Sequence, residues 1–179
     1  MADKADIKKL LDKVESVTRE KKLDLSSDED LSIGIMNLIS IEEHLFFTSQ
    51  KTGKQMYLDL LNEVRLMRTE LMGKIIKDYE GEVWCISKHL LAASMRLMEV
   101  GTKELKKGNK NEAWELFDKG YKLYSMFWGI NLGVVKMDSV KRGDMEVNLV
   151  DEKSNLKGKV SLWDKLGVIV KKAIDCCKE

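Results

Sequence analysis

Not one of the 179 residues is proline. A chain that never fixes φ by a ring and never removes a backbone donor places no obstacle in the way of long helices, and it lacks the breaker that turn-rich sandwiches use freely. Apolar spacing of three and four residues then predicts helices over about 3–22, 28–51, 54–78, 82–107, 111–136 and 162–178. Gly53 in "KTGK", Gly81 in "YEGE" and Gly108 in "KKGNKN" fall between them as stops. Ser26 and Ser27, each followed three residues later by a carboxylate, read as a capping-box start, and Ser161 with Asp164 repeats the signal.

The fold class that follows is all-α: an antiparallel bundle of four to five long helices over 1–136, then a tether or short β excursion over 137–160. A C-terminal helix over 161–179 would pack on the bundle or on a partner. Leu162, Trp163, Leu166, Ile169, Val170, Ala173 and Ile174 form the apolar stripe of that last helix.

Composition narrows the function classes. Lysine plus arginine number 31 and aspartate plus glutamate 30, so no basic excess points to nucleic acid or an anionic membrane. No apolar run approaches the roughly 18 residues of a membrane span. The opening "MADKADIKKLLDKV" has no apolar core for a secretory signal, and three cysteines make no disulfide framework. A cytoplasmic protein is the expectation.

The stretch "WELFDKGYKLYSMFW", 114–128, carries six of the twelve Phe, Trp and Tyr residues. On a helix Trp114, Phe117, Tyr121, Tyr124 and Trp128 fall within an arc of about 80°, with Glu112, Glu115, Asp118, Lys119 and Lys122 on the opposite side. Such segregation means burial of one face, and the two tyrosine hydroxyls predict that one edge of it is wet. Trp114, Tyr121, Tyr124 and Trp128, together with Trp163, Leu166 and Val170, are the expected contact surface for a protein partner or for self-association.

With "LMEVGTKELKKGNKNEAWELFDKGYKLY" at its centre, including Val100–Gly101, Gly108, Glu112–Ala113 and Phe117, the segment 94–127 resembles a single tetratricopeptide (TPR) repeat. Val100 and Gly101 match the family's first-helix pair, Gly108 the turn, and Glu112–Ala113 the start of the second helix. Phe117 matches its aromatic position, and Gly120 stands where alanine is usual. Glu104 replaces an aromatic residue. The resemblance implies a tight antiparallel hairpin and a role in protein interaction.

Two charges occupy apolar faces. Glu42 lies at the centre of the arc formed by Leu31, Ile35, Leu38, Ile39, Leu45 and Phe46. Arg68 lies within the arc of Tyr57, Leu60, Leu61, Val64, Met67, Leu71 and Ile75. An unpaired buried charge is costly. A turn at Gly53 brings Glu42 opposite residue 63 or 64, about one helical turn from Arg68. The pattern predicts a Glu42–Arg68 ion pair, with Arg65 as the alternative donor.

No cofactor is expected on the leading reading, a non-enzymatic interaction or assembly module. The alternative is a small-molecule or divalent-metal bundle of ferritin-like type, drawing on Glu42, Glu43, His44, Cys85 and His89. Its diagnostic Glu-x-x-His pairs are replaced, since Ile41 and Ile86 precede the two histidines by three.

Overall fold

A computed structural model describes residues 4–21, 24–76 and 82–135. Five helices follow one another: α1 (Lys4–Lys21), α2 (Leu25–Thr52), α3 (Met56–Ile75), α4 (Glu82–Lys106) and α5 (Lys110–Asn131). No strand occurs among the described residues, and the protein is an all-α bundle. The stretch 137–160, the expected C-terminal helix with Trp163, Leu166 and Val170, and Gly81 lie outside the described residues.

The bundle is two antiparallel hairpins, α2–α3 and α4–α5, joined mainly through α2 against α4. Gly53 makes the first turn possible. It takes a left-handed φ of 65° and donates its N–H to the Ser49 carbonyl at 2.8 Å, a cap that a Cβ would strain. At the start of α2 the cap is Asp24 rather than the serines: its carboxylate accepts from the Ser27 N–H and, at 2.9 Å, from the Ser27 hydroxyl. Those hydrogen bonds hold the Asp24 carboxyl below its usual range. The helix therefore begins three residues before the serine-based expectation.

The α4–α5 hairpin is built on a seam of small residues. Ser87, Ser94 and Gly101 repeat every seven residues on α4, and Ala113, Gly120 and Phe127 do so on α5. All six are buried. Two turns of helix nearly close on seven residues, so each set faces its partner along the whole contact. A Cβ on Gly120 would meet the Ser94 carbonyl oxygen at 3.2 Å, and one on Gly101 would meet the Phe117 ring at 2.6 Å. The backbones come this close because those side chains are absent. Hydrogen bonds lock the seam: Ser94 Oγ donates to the Gly120 carbonyl at 2.8 Å, and Asn131 Nδ2 reaches Ser87 Oγ at 3.1 Å.

The hairpin turn is fixed by Glu104, the residue that replaces an aromatic. Its carboxylate accepts from Lys107 Nζ at 2.6 Å and from Asn109 Nδ2 at 2.7 Å, which lowers its pKa. The main core lies where the hairpins meet, around Ile35, Met72, Ile76, Leu91, Phe127 and Trp128. α1 closes one end of it: Val14 joins the core and Lys13 Nζ donates to the Gly133 carbonyl beyond the end of α5.

Candidate functional site

The aromatic face of α5 runs from solvent into the core. Trp114 is 75% exposed, Phe117, Tyr121 and Tyr124 are half-buried, and Trp128 is 1% exposed. The gradient follows from α2, which meets this face at Tyr124. Ser32 Oγ lies 2.8 Å from the Tyr124 hydroxyl and 2.7 Å from the Glu29 carbonyl. A carbonyl only accepts, so the single Ser32 proton goes to Glu29 and Tyr124 donates to Ser32. Trp128 does not belong to the wet edge. It packs edge-on against Phe127 and Tyr124, at centroid distances of 5.2 and 6.3 Å, inside the junction of the hairpins.

Between the covered and uncovered parts of the face lies a cleft of about 360 Å³. α2 contributes Ile33 and Met36, α4 contributes Met95 and Met98 above Ser94, and α5 contributes Phe117, Tyr121 and Tyr124 around Gly120. Burial raises the pKa of both tyrosines above the ordinary value of 10.0, and the negative field of Glu29 adds to the shift. Both tyrosines line the cleft as neutral phenols, with the Tyr124 hydroxyl held by Ser32. Three flexible thioether side chains line the rest, a surface able to reshape around different apolar groups.

α2 also carries two adjacent carboxylates that grip different neighbours. Arg68 of α3 gives a forked contact to Glu42: Nε to Oε1, and Nη2 to Oε2 at 3.4 Å. Its Nη1 rests 3.3 Å from Met72 Sδ. Both side chains are largely shielded, Arg68 at 4% exposure and Glu42 at 16%. Arg65, the alternative donor, points to solvent. Glu43 accepts from Arg96 Nη2 of α4 in a half-exposed pair. This second grip was missed because Arg96 sits on a different hairpin, and no spacing within one sequence segment relates it to Glu43.

The metal alternative is not assembled. Among the described residues no three His, Cys, Asp or Glu side chains come together to hold an ion. Glu42 and Glu43 are taken by arginines, and His44, Cys85 and His89 each face solvent. The reason is register: α2 turns its carboxylates toward α3 and α4, while His44, one step further round the helix, turns away from both. The Met-lined cleft, by contrast, had no signal in any one segment, since its walls come from three helices.

Comparison of the chain with models of protein families, with curated proteins and with solved structures finds no match.

Proposed function

We propose that the protein is a helical interaction module whose cleft between α2, α4 and α5 receives apolar side chains of a protein partner. The observation that carries this reading is the open, thioether-lined cavity beside the half-buried tyrosines. Pockets of a few hundred Å³ with a few placed polar groups are the usual form of a recognition site. Methionine walls suit partners of varied shape. Trp114, one turn before Phe117 and open to solvent, extends the same surface beyond the cleft. An aromatic so placed is a frequent interface anchor. The close small-residue seam of α4 and α5 supports the TPR-like reading of this hairpin, whose family serves protein interaction. A cytoplasmic setting fits the free, exposed Cys85, and no helix among the described residues is long and apolar enough to cross a membrane.

The test is selection of peptides from a displayed helical library on the full chain. Binders should carry apolar residues at three- and four-residue spacing. Met98→Glu, at a site already exposed, should weaken them by about tenfold or more while leaving the melting temperature unchanged. Binders indifferent to Met98→Glu and to Tyr121→Ala would remove the cleft from consideration.

A further inference from the structure

The α2–α3 hairpin has a second apolar face, turned away from the cleft. The Glu42–Arg68 contact defines the inward direction of both helices. Ser32, Met36 and Glu43 lie about 80–120° to one side of that direction on α2. Ser32 and Glu43 there touch Tyr124 and Arg96. Leu38, Ile41 and Leu45 lie about 40–100° to the other side. Because the helices are antiparallel, the matching side of α3 holds Leu60, Met67 and Leu71. Ile41, Leu60 and Met67 are 44%, 46% and 50% exposed, so neither α4 nor α5 covers them. The face also has a charged margin. Glu63 follows Leu60 by three residues and Glu70 follows Met67 by three, and both carboxylates are exposed.

The same pattern with opposite charge occurs on α4, at Ala93–Arg96 and Val100–Lys103, where Arg96 is already taken by Glu43, and again near the C-terminus. Lys165 follows Leu162 by three and Lys172 follows Ile169 by three, on the margin of the stripe that includes Leu166 and Val170. Each charge pair is seven residues apart, about 10.5 Å along a helix. Two helices lying antiparallel bring the same-handed margins together, which sets Lys165 against Glu70 and Lys172 against Glu63. Margin charges of this kind set partner and orientation in paired helices. The stretch 136–161 spans up to about 90 Å when extended, ample to reach this face from Val135.

We propose that residues 162–174 of this chain dock in cis on the outer face of the α2–α3 hairpin, antiparallel to α3, covering Ile41, Leu60 and Met67. The proposal concerns the face opposite the cleft and stands whether or not the cleft binds a partner.

The experiment is zero-length carbodiimide cross-linking of the full chain, mapped by mass spectrometry on a mixture of ¹⁴N- and ¹⁵N-labelled protein. Amide links from Lys165 to Glu70 and from Lys172 to Glu63 within one isotope population are the expected result. Leu60→Lys combined with Met67→Lys, at two positions that already see solvent, should lower their yield by about tenfold or more. Glu63→Lys with Glu70→Lys should abolish them, and adding Lys165→Glu with Lys172→Glu should restore them. Links that join only the two isotope populations would overturn the cis assignment in favour of a second copy. Links from these lysines to cleft-side carboxylates such as Glu29, or no links at all in the unaltered chain, would overturn the proposal outright.

Discussion

Arg68 of α3 wraps its guanidinium around the Glu42 carboxylate of α2, one residue before the carboxylate that holds Arg96 of α4. α2 is thus pinned to α3 and to α4 at one level, by adjacent residues pointing about 100° apart. The two pins differ in environment, and that difference decides their energies.

Removing Arg68 leaves Glu42 shielded and unpaired. Arg68→Met is therefore expected to destabilise the fold by about 3 kcal/mol, the lower end for breaking a buried pair because Glu42 retains some solvent contact. For a chain of this size that is roughly a 6–12 °C fall in melting temperature. Adding Glu42→Leu should recover most of the loss, since an apolar pair avoids desolvation altogether. A shift of less than a degree for Arg68→Met alone would show that the pair carries no weight.

The Glu43–Arg96 pin should behave as a surface pair. Both side chains are about half exposed. Water screens their attraction, and ordering two long side chains offsets part of the remainder, so Arg96→Gln should cost under about 1 kcal/mol. The loss should shrink further as salt is raised to about 1 M, where the screening length falls to about 3 Å. Urea unfolding at low and high salt checks this, and an Arg96→Gln penalty as large as that of Arg68→Met at both salts would mean the pair is far drier than it stands here.

Gly101 lies against the Phe117 ring more closely than a Cβ would allow. A methyl on Gly101 would sit 2.6 Å from the ring edge, so the ring must swing toward the cleft. Overpacking of this kind costs about 1–3 kcal/mol, against about 1 kcal/mol gained from the better helix propensity of alanine. Gly101→Ala should be destabilising by about 1 kcal/mol, and Phe117→Leu in the same chain should remove most of that penalty. The coupling of the two in a double-mutant cycle is the decisive number. If the two changes add independently, the close approach is not what fixes residue 101 as glycine.

The α2–α3 charges were legible in the sequence because each stands alone in an apolar arc, and a single turn at Gly53 relates the two helices by simple counting. The five described helices were legible for the same reason: period and punctuation are local. What counting did not reach is the angle at which one hairpin crosses the other. That angle decides that Trp114 is left in solvent while Trp128, on the same arc of the same helix, is sealed beneath α2. It also makes the cleft. A start signal was displaced as well: Asp24 captures Ser27 before the serines can cap, because the aspartate carboxylate accepts from both the backbone and the hydroxyl of one residue.

The two tyrosines of the cleft make the fold sensitive to alkaline pH. Burial favours the neutral phenol, so Tyr121 and Tyr124 hold their protons to higher pH than the ordinary value of 10.0. In the unfolded chain they ionise near that value. Between the two, folding retains protons that the unfolded chain releases, so their contribution to stability is fully present below about pH 10 and is lost as pH rises through the folded pKa values. Phenolate absorbance near 295 nm should show two late-titrating groups in the native chain and none in denaturant. Tyr124→Phe should remove one of them at a cost of about 0.5–1.5 kcal/mol, because Ser32 keeps its bond to the Glu29 carbonyl. A native titration that superimposes on the denatured one would mean that water reaches both hydroxyls freely, and the cleft would then be no less polar than the surface around it.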